Sequence, residues 1–263
     1  MIALSIAATL GGIAAGPSEA ARRARRRVPP TTTLPPSTAA PTTTLPPKPT
    51  GPPPELVLTI RDPFRGPVPK EETQFALYRN GSILFRDGND IREASLVGAE
   101  LAAARRALAP KPDFWILDGF YESQTAADSR SVLISAWQAK RHRTVSVADD
   151  PLLGPDAFVD LYERIVAYRP ALAPVWEPPR YELLLAPFPF DKKTLPAWPR
   201  GWPTTNSVAA RRIGLVVKVQ LSPAQATLFR SKFAQFPAVL IEGKTWAYAL
   251  RVPFPTEEAW VAN

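Results

Sequence analysis

The sequence predicts an α+β fold: antiparallel hairpins with helices packed on one face, in two lobes, preceded by a disordered Pro/Thr-rich stalk. Three observations carry this. Short apolar runs meet at tight turn signals such as Asn80-Gly81 and Glu242-Gly243-Lys244, which join neighbouring strands antiparallel. Helical stripes follow pairs of strands, so the chain lacks the βαβ alternation of a nucleotide-binding fold. Proline gathers outside these runs: Val28 to Pro54 holds 11 prolines, 8 threonines and almost nothing able to build a core. The chain therefore divides into an apolar leader at 1–20, an arginine-rich and Pro/Thr-rich linker at 21–54, a larger lobe at 55–178 and a smaller one at 179–263.

In the larger lobe Glu55–Ile60 reads as the first strand, ended by Asp62-Pro63 and Gly66-Pro67. Thr73–Arg86 reads as a hairpin whose Asn80-Gly81 supplies both positive-φ residues of a type I′ turn. That register sets Tyr78 opposite Ile83 and Ala76 opposite Phe85, giving a hairpin with one buried side. Ile91–Ala94 adds a short strand, and Ser95 caps a helix to Leu108 along the stripe Val97, Leu101, Ala104 and Leu108. The aromatic segment Asp113–Tyr121 docks on the sheet. A second hairpin joins Ser131–Trp137 to Arg143–Val147 across a basic turn. A second helix, from Pro155 to Tyr168, presents Phe158, Leu161, Tyr162, Ile165 and Val166 on one face.

In the smaller lobe Tyr181–Ala186 and Ile213–Leu221 read as strands. Ser222-Pro223-Ala224-Gln225 gives a helix cap, a proline at the first helical position and a capping-box Gln; Phe229, Phe233 and Phe236 bury that helix. Ala238–Ile241 and Thr245–Val252 close the chain as a hairpin. Between the first two strands lies AWPRGWPTT, Ala197 to Thr205. Its X-Pro steps push Trp198 and Trp202 out of helical geometry, and Trp198-Pro199-Arg200-Gly201 suits a type I turn. The two rings then meet with Arg200 at the apex, as a clasp for a ligand or as a plug for the core.

The formal charge of +8 is uneven. Residues 1–54 carry six basic and one acidic residue (+5), while residues 55–263 carry 26 and 23 (+3), so the folded part has no strong nucleic-acid-binding bias. Arg22, Arg23, Arg25, Arg26 and Arg27 form one run, suited either to an anionic envelope surface or to a solvated tail. Ahead of it, Met1 to Gly16 is apolar, and Ser18 and Ala20 fit a small-residue cleavage site. The run is short for a membrane span, and no Lys or Arg precedes it. These features predict export, to the medium or the cell envelope. The absence of cysteine excludes disulfides, thiolate metal sites and lipid attachment through a cysteine.

The pieces FALYRNGSILFRDG, ASLVGAELAAARRAL, DGFYES and RHRTVSV, with the C-terminal EGKTWAYALRVPFPTEE, resemble a family of secreted or lipid-anchored bacterial proteins of unknown function. The resemblance spans roughly residues 73–260 and rests on structural motifs. It implies a hairpin–helix–hairpin α+β domain and an extracytoplasmic location, and it carries over no catalytic residue. Many members of the family are anchored through a cysteine, which this chain lacks.

Chemistry is sparse. The single histidine, His142, sits between arginines in a predicted turn, unlike a triad histidine held by a buried carboxylate. Asp118, Glu122 and Asp128 are the carboxylates best grouped for a carbohydrate-directed envelope hydrolase. Asp149-Asp150 and Glu257-Glu258 read as turn and surface charges, and no glycine-rich phosphate loop is present. Aromatic recognition is the positive signal: Pro174 to Pro203 holds eight prolines and six aromatics, with Trp198, Arg200 and Trp202 as the candidate binding residues. The reading is an exported, non-catalytic binding or structural protein of the cell envelope, monomeric, without cofactor or metal. Its partner is an unidentified protein or envelope polymer, and the hydrolase is the alternative.

Overall fold

The first apolar run takes the middle of a sheet. In chain order this sheet comprises β1 (Pro54–Asp62), β2 (Lys70–Tyr78), β3 (Ser82–Asp87), β4 (Asp90–Ser95), β5 (Phe120–Tyr121), β6 (Ser131–Gln138) and β7 (Arg141–Ala148), with spatial order β4-β3-β2-β1-β6-β7-β5. Its pairs are antiparallel except the short β5, which lies parallel to β7. A second, wholly antiparallel sheet comprises β8 (Tyr181–Pro187), β9 (Ala210–Ile213), β10 (Val216–Leu221), β11 (Ala238–Ile241) and β12 (Lys244–Arg251), ordered β11-β12-β8-β10-β9. Among the described residues three α-helices join them: α1 (Gly98–Leu108), α2 (Asp156–Ala167) and α3 (Pro223–Phe233). The computed structural model describes residues 51–62, 68, 70–122 and 129–257, apart from the Lys193 side chain, and these fall in one compact unit. The predicted leader, the linker up to residue 50 with its arginine run, and the turn signals from Pro63 to Pro67 lie outside the described residues.

The β2–β3 hairpin departs from its expected register. The pairs are Phe75↔Phe85, Ala76↔Leu84 and Leu77↔Ile83, one residue away from the I′ pairing. Asn80 does not adopt positive φ; only Gly81 does, at +90°, and its N–H donates to the Tyr78 carbonyl at 2.9 Å. This is a three-residue loop, a type I turn closed by a left-handed glycine. Tertiary packing selects it. The Gly81 carbonyl accepts from Leu96 N–H at 3.0 Å, and a Cβ on Gly81 would run into the Leu96 carbonyl oxygen.

The corrected register buries both faces of the hairpin. Phe75, Leu77, Ile83 and Phe85 join Leu108, Phe158, Leu161 and Ile165 from α1 and α2 in the main core. Ala76, Tyr78 and Leu84 join Val57, Ile91 and Phe254 on the opposite face. Phe254 arrives from beyond β12, so the far end of the chain covers a face that a local reading leaves to solvent.

Three other expectations shift. Ser95 belongs to β4, paired with Ser82, so α1 starts at Gly98 with Val97 at its N-cap, no side-chain cap bond and Val97 itself exposed. On α2, Phe158, Leu161 and Ile165 are fully buried, Tyr162 is half-buried and Val166 is exposed. The run Ile213–Leu221 is two strands, because Gly214, at φ +58°, turns the chain and Ile213 pairs with Val216. The Ser222 box forms as expected: its Oγ accepts from Gln225 N–H at 3.3 Å, and Gln225 Oε1 accepts from Ser222 N–H at 2.9 Å. Phe229 and Phe233 bury that helix against Leu183, Leu185, Val217 and Val219.

Two proline-spaced segments cover outer sheet edges. Against β4, Glu93 N–H donates to the Pro174 carbonyl and Trp176 N–H to the Ile91 carbonyl. Against β11, Ala197 bridges Leu240 in parallel. Pro52 to Pro54, the end of the predicted linker, also belong to the fold: the Pro52 and Pro53 carbonyls accept from Thr256 Oγ1 and Arg79 N–H, and Pro54 is buried.

Turn chemistry yields a paired test. In the β6–β7 hairpin, Ala139 holds φ +52°, a conformation costing an L-residue about 1 kcal/mol. In the β11–β12 turn, Glu242 and Gly243 hold +52° and +75°, the I′ pattern. We expect Ala139→Gly to raise unfolding stability by about 0.5 kcal/mol, since the relieved strain exceeds the added chain entropy, and Gly243→Ala to lower it by about 1 kcal/mol. Urea unfolding midpoints check both.

Candidate functional site

The most buried polar chemistry lies where the end of the chain meets both sheets. Arg251, the last residue of β12, pairs across the ladder with Glu182 of β8. Its Nε and Nη2 donate to Glu182 Oε2 at 2.9 and 2.6 Å. Its Nη1 donates to Glu257 Oε1 at 2.8 Å and to the Glu71 carbonyl of β2 at 3.1 Å. Glu257 also accepts from Phe254 N–H at 2.7 Å and from the Thr73 hydroxyl at 3.3 Å, and Lys218 Nζ lies 3.9 Å from Glu182. Glu257, expected as a surface charge, is 1% exposed; Glu258 lies outside the described residues. The chain folds back after β12 and carries Glu257 onto Arg251, a long-range return with no local sequence signal. Burial pushes the Glu257 carboxyl up, against the Arg251 guanidinium and the Phe254 N–H, which draw it down. Burial alone would lower Arg251, but Glu257 and Glu182 outweigh it and hold the guanidinium above its ordinary value.

Beside this network a cleft of about 340 Å³ opens between the sheets, lined by Glu72, Arg86, Trp176, Tyr181, Arg230 and Arg251 among others. Arg86 Nε donates to the Thr73 carbonyl at 3.0 Å, and burial lowers its guanidinium while Glu72 and Glu257 raise it. The Arg230 guanidinium lies 4.7 Å from the centre of the Tyr181 ring. Neither arginine has an ion-pair partner among the described residues; Glu72 is held by Lys70 at 2.9 Å. The cleft thus sets the guanidinium groups of Arg86 and Arg230 beside two aromatic walls, with the carboxylates of Glu72 and Asp90 on the same lining. A wider hollow beside Arg92 and Arg169 is chemically quieter. Its Arg92 is bound to Asp87 and the Ala173 carbonyl, and its Arg169 to the Phe85 ring and the Tyr168 carbonyl.

The tryptophan pair was placed by sequence, but its turn shifts by one residue. Trp202 N–H donates to the Pro199 carbonyl at 3.2 Å, so the turn runs Pro199-Arg200-Gly201-Trp202 with Gly201 at φ +80° in the third position, the type II arrangement. The rings meet edge to face at 5.4 Å and pack on Phe229 and Phe233 of α3. Trp198 Nε1 donates to the Pro203 carbonyl at 3.0 Å. Both rings are half-buried, close the core of the second sheet and leave Arg200 exposed at the apex.

Of the three loop acids, Asp118 and Glu122 are exposed, the Asp118 N–H donating to Tyr121 Oη at 2.9 Å, and Asp128 lies outside the described residues. Among the described residues no three His, Cys, Asp or Glu side chains converge as metal ligands. His142 stacks on Trp137 at 4.6 Å and 11°, and its Nε2 lies 3.3 Å from Thr144 Oγ1. Partial burial depresses its pKa below 6.5. Sequence reasoning missed Arg86, Arg230, Trp176 and Tyr181 as one site, since they come from β3, α3, the crossover and β8.

Two measurements test this electrostatics. Arg251→Met strands two buried carboxylates and should destabilise the fold by about 3–5 kcal/mol, whereas Glu257→Gln, which keeps hydrogen-bonding groups, should cost about 1–2 kcal/mol. Because His142 is the only histidine, its NMR titration is unambiguous, with a midpoint below 6.5 that returns towards 6.5 in Trp137→Ala. The folded state holds this ring neutral, so its contribution is present above pH 6.5 and is lost as pH falls through the depressed midpoint.

No protein-family model matches this chain, and neither curated proteins nor solved structures show a significant match to it.

Proposed function

We propose that this is an exported, non-catalytic binding protein of the cell envelope, and that the cleft between its sheets receives an anionic group of its partner. The observation that carries the reading is the pair Arg86 and Arg230, two cations with no ion-pair partner among the described residues, beside Trp176 and Tyr181 in one cavity. A guanidinium binds a carboxylate or phosphate in two-pronged fashion, and aromatic walls add area at little entropic cost. Arg86 is oriented by its bond to the Thr73 carbonyl and Arg230 lies over the Tyr181 ring, so both are placed before a ligand arrives. Export is supported by the apolar leader with its small-residue cleavage site, and the Pro/Thr-rich linker then serves as a stalk. The resemblance to secreted and lipid-anchored proteins points the same way.

The test is retention of the full chain on anionic envelope polymers and on secreted proteins, compared with Arg86→Gln, Arg230→Gln and the double variant. Each single change should weaken retention about tenfold or more, the worth of one charge-assisted contact, with thermal unfolding unchanged for the exposed Arg230. Equal retention of the double variant would remove the cleft from the function.

A further inference from the structure

The outer corner of the second sheet places apolar side chains where a turn ordinarily carries polar ones. The β9–β10 hairpin reverses at Gly214-Leu215; Leu215 is 79% exposed at the tip, and Ile213, just before the turn, is 46% exposed. The β8–β10 register sets Leu215 level with Pro187, so Phe188, also exposed, lies at the same end of the sheet with its ring 4.8 Å from Phe190. β9 is the outermost strand here, and among the described strands it pairs only with β10.

Cations flank this apolar corner. Arg212 lies on β9 beside Ile213. Lys244 opens β12, which the pairing of Trp246 with Pro187 brings to the same end. Lys192 is tied to the adjoining turn, its Nζ donating to the Gly243 carbonyl at 2.6 Å. The acids of the corner, Asp191 and Glu242, both have partners, Glu242 accepting from Asn206 Nδ2 and the Thr205 hydroxyl.

We propose that this corner is a contact surface for an anionic lipid bilayer. Leu215, Ile213 and Phe188 enter the headgroup–acyl boundary, while Arg212, Lys244 and Lys192 meet headgroup phosphates. An apolar tip with long cationic side chains at the same end of the sheet matches both layers of such a surface. Three apolar side chains are too little for a stable protein partner, which needs about 800 Å² from each side. A bilayer has no such threshold, because weak signals on one chain add, and the Arg22–Arg27 run supplies a second one. The described helices include none long and apolar enough to cross a membrane. This inference is independent of the cleft and its ligand.

The test is flotation of the full chain with vesicles of phosphatidylcholine alone and of phosphatidylcholine with about one-third phosphatidylglycerol, at low and high salt. It is run in the native sequence and with Arg22, Arg23, Arg25, Arg26 and Arg27 replaced by Gln, so that the corner is read alone. In both backgrounds Leu215→Ser with Ile213→Ser should lower partitioning into anionic vesicles about tenfold, and Arg212→Gln about fivefold. Leu215→Trp should retain or raise binding, separating lost contact from lost fold. Partitioning unchanged by the Ser pair, or binding equally strong to neutral vesicles, would overturn the proposal. So would self-association in sedimentation that disappears in Leu215→Ser, which would assign the corner to a second copy of the chain.

Discussion

Arg251 is the residue on which the architecture depends. Moving an ion out of water costs several kcal/mol, so a buried guanidinium flanked by two buried carboxylates tolerates only arrangements that satisfy all three. Its partners come from three other stretches of chain, Glu71 in β2, Glu182 in β8 and Glu257 beyond β12, and Thr73 of β2 bonds to Glu257 in turn. A slip of one residue between β8 and β12 would turn Glu182 or Arg251 onto the α3 face, among Leu183, Leu185 and Val217. The same network ties the returning segment to the first sheet, which brings Phe254 over Val57, Ala76 and Leu84 and the Tyr78 hydroxyl onto the Pro255 carbonyl at 2.9 Å. Register, sheet docking and the second small core thus share one electrostatic condition.

The prolines of the crossover segments solve a different problem. An open sheet edge invites pairing with another chain, and proline-rich segments cover an edge without extending the sheet. The stretch around Pro174 to Trp176 lies on β4, and that around Ala197 to Trp202 lies on β11; each ends in tryptophan packed on a core. The aromatic richness that first reads as a recognition signal is therefore largely spent on anchoring. Arg200 stays exposed at one turn, and the half-buried Trp176 and Tyr181 pack on the cores while lining the cleft. Among the described strands β9 pairs only with β10, and it carries Arg211 and Arg212, the charged kind of edge that resists strand addition.

The amino-acid sequence by itself determined the elements made by local rules. The strand periods, the α2 stripe through Phe158, Leu161 and Ile165, the Ser222 capping box and the Glu242-Gly243 turn all depend on neighbours within a few residues. Two turns were misread by a single residue. Asn80-Gly81 and Pro199-Arg200-Gly201 each admit two turn types of similar local energy, and distant contacts at Leu96 and on α3 chose between them. The buried ion network, the second buried face of the β2–β3 hairpin and the cleft were decided by tertiary structure alone. Arg86 and Arg230 lie far apart in the chain, and Glu257 looks like any terminal acid until the chain returns it to Arg251. Local sequence fixes dihedral preferences and apolar period; which charges leave water together is a property of the folded assembly.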